Sequence, residues 1–245
     1  VLFRSSRLYN YLLVVNLGNR WHWTFRYKNV VKIVSTVAVS LLSHRPVKLH
    51  NSRNLGFDVF PDSKNLLLIG YYQSYVWLEN MNVRKRICTA LDLSYSKDRL
   101  LSELVEEAIN LKPIVIHVRR GDYSKEPGFG TLGLSYYQSA ISKAKELCGN
   151  KEIWLFSDSP SEAKQLIQKL GTNFRTISEE IQLNGLQTLN LMRFGYGIII
   201  ANSTLSWWAA ATSSTSTCTI YPKPWFIGME TPKMMHPKNW IAINR

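Results

Sequence analysis

A chain of 245 residues that is 45% hydrophobic and 19% charged can bury one large core or two modest ones, which excludes a disordered or fibrous protein. Its formal net charge of +13 turns it toward acidic partners: nucleic acid, an anionic membrane or phosphorylated substrates. The charge is uneven, because Arg4, Arg7, Arg20, Arg26, Lys28, Lys32, Arg45, Lys48 and Arg53 all precede Asp58, the first acidic residue, and that front end fits peripheral contact with lipid headgroups as well as it fits a solvated basic face.

Residues 1–110 hold many Trp and Tyr, two helical stretches and the turn-like SRNLGFDVFPDSKN, but no complete sheet, and read as part of a second domain. The apolar run Val30–Leu42, interrupted by Lys32, is about 13 residues and falls short of the roughly 20 that span a bilayer. No signal peptide is recognisable. The start at Val1, with LFRS at residues 2–5 matching a translated sequencing adapter, points to a fragment and leaves room for a lost N-terminal anchor.

From Ser96 onward helices and strands alternate. Ser96–Leu111 reads as a helix with Leu100, Leu101, Leu104 and Ala108 on one face. The buried strand Ile114–Val118 follows Pro113, then the helix LSYYQSAISKAKELCG with Ser135 as N-cap and Gly149 as its stop. EIWLFSD is the next strand. In SPSEAKQLIQKLG, Ser159 caps a helix, Pro160 takes the first helical position and Glu162 completes a capping box. FRTIS is a short strand, NGLQTLNLMRFG a helix ending at Gly195, Ile198–Ala201 an apolar strand, STLSWWAAATSS a helix and TCTIYP the last strand. Near-continuous apolar strands alternating with helices imply a doubly wound parallel sheet over residues 111–245, whose ligands sit beyond the carboxyl ends of the strands.

Three strand ends then carry the chemistry. The first brings His117, Arg119, Arg120 and Asp122, the second Ser157 and Asp158, the third Asn202, Ser203 and Thr204 at a helix start. Helix N-termini and arginines both bind phosphate, the former through unpaired amides and the dipole, the latter through bidentate charged bonds. Asp158 is an acceptor for a ribose hydroxyl or a base amine, and the set suits a nucleoside diphosphate. Each residue also has a plainer reading: Ser203 or Thr204 as N-cap, Asp158 as a strand end, the arginines as solvated. SWW, Ser206–Trp208, reads as core packing, and the sequon NST at 202–204 as accidental. GFGTLG, Gly128–Gly133, matches the dinucleotide fingerprint in letters, but it starts about ten residues after its strand, where the fingerprint needs a tight turn. It reads as a flexible loop over a binding cleft. Cys88, Cys148 and Cys218 are sparse and odd in number, which predicts free thiols and a reducing, cytoplasmic setting. His22, His44, His50, His117 and His236 lack nearby paired ligands, so no metal and no cofactor are expected.

HVRRGDY resembles the signature of the alpha-1,2-fucosyltransferases, glycosyltransferase family 11. LLLIGYYQSYVWLE before it, LSYYQSAI and WLFSDS after it, IIIANSTLSWWAAATSSTSTCTIYPKPWF and the closing HPKNWIAI resemble further family segments, from about Leu66 to Ile243. Two features depart from the pattern: NLGNRW at 16–21 does not match the family's opening GLGNQ loop in spacing, and Ser159 stands where a second acid is common. The resemblance implies an N-terminally truncated GT-B enzyme, with residues 111–245 as a Rossmann-like GDP-sugar domain and residues 1–110 as the remnant of an acceptor-side domain. It implies inverting, metal-independent transfer of L-fucose from GDP-fucose to the 2-hydroxyl of a terminal galactoside on an oligosaccharide or glycolipid. Arg119 or Arg120, with the amides and hydroxyls at Asn202–Ser206, would stabilise the departing GDP. Asp122 is the first candidate base and Glu126 the second, with Asp122 alternatively only a partner for a neighbouring arginine. His117 either binds the nucleotide or is a satisfied histidine at the strand end, and Tyr72 and Gln73 would line the acceptor cleft. Alternatives are another sugar-nucleotide transferase, a protein O-fucosyltransferase-like enzyme or an inactive fragment. More distant are a nucleic-acid-binding module and an adhesion ligand through Arg120-Gly121-Asp122.

Overall fold

A computed structural model describes residues 2–4, 11–14, 48–51, 66–69, 73–95, 98–121, 123 and 128–245. The chain divides into two units, Val1–Ser74 and Tyr75–Arg245. The first contains four strands, β1 (Leu2–Arg4), β2 (Tyr11–Val14), β3 (Lys48–Asn51) and β4 (Leu66–Ile69), in the order β1-β2-β4-β3. β2 and β3 both pair parallel with β4, and β1 pairs antiparallel with β2. The sequence showed no sheet here, because strands of three or four residues are too short to print a period of two.

In the second unit, α1 (Val76–Glu79), α2 (Met81–Tyr95) and α3 (Arg99–Leu111) precede β5 (Ile114–Val118). Then follow α4 (Leu134–Cys148), β6 (Ile153–Ser157), α5 (Pro160–Gln168), β7 (Arg175–Thr176), α6 (Ile177–Glu180), α7 (Gly185–Met192), β8 (Gly197–Ile199), α8 (Thr204–Ala211), β9 (Cys218–Lys223) and β10 (Ile241–Asn244). The six strands are ordered β10-β9-β8-β5-β6-β7 and every pairing is parallel. From β5 the chain steps to β6 and β7 on one side, then returns to β8 on the other. Strand order therefore reverses between β5 and β8, and their carboxyl ends flank the crevice where such sheets bind ligands.

Both sheet faces are covered, as the apolar strands require. Ile114, Ile116, Val118, Ile153 and Leu155 meet Tyr136, Tyr137, Ala140 and Ala144 of α4 and Ala163 and Ile167 of α5. Val115, Trp154 and Phe156, the alternate residues, meet Leu101, Leu104, Val105 and Ala108 of α3 with Leu191 and Met192 of α7. This second packing moves the expected domain boundary from residue 110 back to Ser74, since α3 needs the sheet to bury its stripe. Arg193, only 3% exposed, also ties α2 to this unit through Asp92 at 3.0 Å.

Several local expectations shift. Asp98 caps α3 by accepting from Leu101 N–H, so the apolar stripe turns by one residue and leaves Leu100 exposed. Gly133, not Ser135, is the N-cap of α4, and Gly149 ends that helix at φ 79. Ser159 precedes Pro160 as expected, but its hydroxyl donates to the Glu162 carboxylate rather than capping an amide. The reciprocal capping box lies instead at Asn184 and Gln187. β8 starts one residue earlier and ends two residues earlier than the expected Ile198–Ala201, and TCTIYP is not the last strand, because β10 adds a further parallel edge to β9. Among the described residues no helix is long and apolar enough to cross a membrane.

Gly195 shows how tightly β5 is packed. A Cβ there would lie 2.8 Å from Val115 Cγ2 and 3.1 Å from the Gly197 carbonyl. Gly195→Ala is expected to destabilise the fold by about 1–3 kcal/mol through overpacking. Gly128→Ala, where nothing lies within 4 Å, serves as the neutral control. Urea denaturation of both variants measures the difference.

Candidate active site

The crevice between β5 and β8 is organised around Asp158, just past β6. Its Oδ1 accepts the Arg120 backbone N–H at 3.0 Å, and its Oδ2 pairs with Arg119 Nη1 at 3.2 Å. A Cβ on Gly121 would overlap Asp158 Oδ2, so glycine is what allows the carboxylate to reach the turn. Arg119 also lies over the Tyr123 ring, 5.1 Å from its centroid. Asp158 thus has an occupation other than the ribose or base contact read from the sequence: both oxygens already hold the turn that follows β5.

Ser157 is likewise turned inward. Its N–H donates to Ser178 Oγ and its own hydroxyl accepts the Ser159 N–H, each at 3.0 Å. His117 is 3% exposed, and its Nδ1 has no hydrogen-bond partner. Burial, helped by the Arg119 charge, pushes its pKa down to about 3, so it sits in the strand as a neutral imidazole and offers a phosphate no charge. Its carbonyl accepts the Tyr137 hydroxyl at 3.2 Å.

On the other wall, Asn202 and Ser203 are buried and α8 opens at Thr204. Ser203 occupies the N-cap without a side-chain cap bond. Ser206 is fully buried, and its hydroxyl proton is shared between Ala201 O and Ser203 O, which ties the helix to the turn between β8 and α8. Asn202 Nδ2 donates to Phe129 O at 2.8 Å, with longer contacts to Gly130 O and Trp225 O. Trp207, as expected, packs in the core and donates its indole N–H to Met235 O.

The glycine-rich stretch is pinned rather than free over its described part. Besides Asn202, the Ile227 N–H donates to Gly128 O at 2.8 Å, and Arg245 Nη2 donates to Phe129 O at 3.0 Å. Gly130 takes φ +59, and the space of a Cβ there is filled by Ile227 Cδ1 and Arg245 Nη2. This contact of Arg245 escaped the sequence reading, since nothing in the spacing of residues 129 and 245 marks them as neighbours. Gln73 is buried, whereas Tyr72, Asp122 and Glu126 lie outside the described residues. Among the described residues no carboxylate pairs with Arg120 or Arg245, so Arg119 is neutralised and two positive charges are not. No three His, Cys, Asp or Glu side chains of the described residues converge as a metal site.

A parallel six-stranded sheet with arginines and a helix start at its reversal point defines a class of α/β proteins that take phosphorylated ligands. The model of glycosyl transferase family 11 matches residues 49–244. The chain belongs to that family. It is 29% identical over 139 residues to the O-antigen biosynthesis glycosyltransferase WbnK of Escherichia coli, covering 55% of this chain and 45% of that one. It is 26% identical over 187 residues to the alpha-1,2-colitosyltransferase of Escherichia coli, covering 72% and 62%. The chain thus spans less than two thirds of the length of either relative. Among solved structures, POFUT1 in complex with GDP aligns at a TM-score of 0.42 and 12% identity, over 69% of this chain and 61% of that one.

Two outcomes follow from this geometry. Asp158→Ala removes the acceptor of the Arg120 N–H and the partner of Arg119, and is expected to lower stability by about 1–2 kcal/mol, with Asp158→Asn intermediate; chemical denaturation at neutral pH measures both. The second concerns acid. His117 and His236 are both depressed to about 3 by burial. Above the unfolded value near 6.5 neither state is protonated and stability is complete. As pH falls below 6.5 the unfolded chain takes up protons that the folded chain refuses, and stability declines down to pH 3. At pH 5 the loss is about 2 kcal/mol per histidine. His236→Phe, which keeps an aromatic ring against Tyr221, should flatten the decline between pH 7 and pH 5, read as a smaller drop in melting temperature.

Proposed function

We propose that Tyr75–Arg245 is the donor-binding half of a GT-B-type enzyme that transfers L-fucose, with inversion, from GDP-fucose to the 2-hydroxyl of a terminal galactoside. Residues 1–74 would then belong to the acceptor-side half. One observation carries the reading: Arg119 and Arg120 leave β5, and Asn202–Thr204 leave β8, on the two sides of the strand-order reversal.

Departure of GDP develops negative charge on its β-phosphate. The Arg120 guanidinium and the first amides of α8 are the groups on hand to meet it, and in a preorganised site each such donor is worth roughly 10²–10³ in rate. Arg119 has a supporting part, because Asp158 and Tyr123 fix its guanidinium. The acceptor hydroxyl must lose a proton as it attacks the anomeric carbon. Asp122, with Glu126 second, is the proposed base, a role worth roughly 10²–10⁴. The groups named supply the needed charge and base without a metal. A second reading keeps this machinery and changes the sugar: the relative named alpha-1,2-colitosyltransferase favours a colitosyl donor.

Arg120→Ala tests the site. The bond from Arg120 to Asp158 uses the backbone N–H, so the turn and the melting temperature should survive the substitution. Transfer from GDP-fucose to a β-galactoside, followed by release of GDP, should fall by about 10²–10³. Turnover at the wild-type rate would remove Arg120 from the site, and turnover with another nucleotide sugar alone would select the second reading.

A further inference from the structure

Arg245 stands at the end of β10, remote in sequence from every motif of the site, and its guanidinium is only half used. Nη2 donates to Phe129 O at 3.0 Å and reaches toward Thr131 O at 3.5 Å. Nη1 is shut away from water and has no hydrogen-bond partner. A buried donor left without an acceptor is costly, and a charged one more so, which makes it an anomaly in need of a reason.

The surroundings supply one. The buried Tyr137 hydroxyl, which donates to His117 O in β5 at 3.2 Å, feels the charges of Arg120, Asp158 and Arg245. Asp158 is engaged by Arg119 and by the Arg120 backbone, which leaves it turned to that side. No carboxylate among the described residues answers Arg245. Arg245 and Asn202, just before α8, donate to the same carbonyl, Phe129 O, so Arg245 and the approach to that helix meet at one point of the Gly128–Thr131 loop. Burial already lowers the Arg245 pKa, a strain that a nearby anion relieves.

We infer that Arg245 is a further donor-binding residue, whose Nη1 takes an oxygen of the nucleotide diphosphate while its Nη2 keeps the Gly128–Thr131 loop against α8. This rests on the nucleotide-sugar reading above. It gives the diphosphate two guanidiniums that no carboxylate of the described residues pairs, Arg120 and Arg245, far apart in the unit's sequence.

Calorimetric titration of the full chain with GDP, and competition by guanosine, tests it. Arg245→Gln keeps an N–H donor for Phe129 O but carries no charge. It is expected to weaken GDP binding about tenfold, the size of one lost charge-assisted bond, and to leave guanosine unchanged. Arg245→Lys, which restores charge without the fork, should recover part of the loss. Equal loss for GDP and guanosine would make Arg245 a loop support only and overturn the inference, as would unchanged GDP affinity in Arg245→Gln. If Arg245→Gln melts early, Arg245→Lys decides by itself: GDP affinity that falls by less than tenfold while guanosine binding is unchanged supports the inference, and equal loss for GDP and guanosine overturns it. A wild-type chain that binds neither ligand would instead overturn the nucleotide-sugar reading, and this inference with it.

Discussion

The site depends on one carboxylate. Asp158 lies past β6, yet it governs the chain past β5, where it accepts a backbone N–H from Arg120 and pairs with the Arg119 side chain. Two adjacent parallel strands end without any covalent tie between their loops, and their exits would otherwise wander separately. A single charged acceptor bridging them converts two loose ends into one defined wall. Glycine at 121 is part of the same device, since any side chain there would collide with the carboxylate.

That device sorts the polar residues of the crevice into two kinds. Asp158, Ser157, Asn202 and Ser206 all have protein partners and hold backbone in place. His117 is neutral within the strand, and its carbonyl is fixed by Tyr137. Arg120 and Arg245 are different: their charge has no counter-charge in the described protein. Under the proposed function, a wall built this way would meet a phosphate with groups already oriented, so little reorganisation would be left for the moment of reaction. It also means that a polar residue at a strand end is not by position alone a ligand contact. Ser206 looks like one by its place near a helix start, and is in fact a tie between α8 and the turn that precedes it.

Much of the second unit was legible in the sequence for a simple reason. Strands buried on both faces read as near-continuous apolar runs, and Ile114–Val118, interrupted by His117 alone, is such a run, recovered with its bounds unchanged. The same rule failed at β10, whose residues alternate between half-buried and exposed at the sheet edge. It failed in residues 1–74, where strands of three and four residues carry too few positions to show a period. The domain boundary was misplaced because α3 precedes the first long strand in sequence but needs that strand's second face for its stripe. Chain order told where the helix lay; only packing told which core it belonged to. The candidate site was legible in part for the same reason: the strand ends could be read, while the bonds across them, from Asp158 to Arg120 and from Arg245 to Phe129, join residues that no local pattern relates.

The glycine-rich stretch Gly128–Gly133 makes the distinction sharp. Its letters match a pyrophosphate-binding turn, where glycines let backbone approach the ligand. Here Gly130 answers to a different constraint, a φ of +59 and a Cβ position filled by Ile227 and Arg245. The stretch does not follow its strand directly, since β5 ends at Val118, and this separates it from a dinucleotide fold. Yet it is no loose flap over its described length, since Asn202, Ile227 and Arg245 each hold one of its carbonyls. With those carbonyls turned to protein donors, the stretch serves as a strut between α8, the segment after β9 and the end of β10. Glycine supplies tight packing in both settings, and only the partners of the backbone distinguish a ligand cradle from a strut.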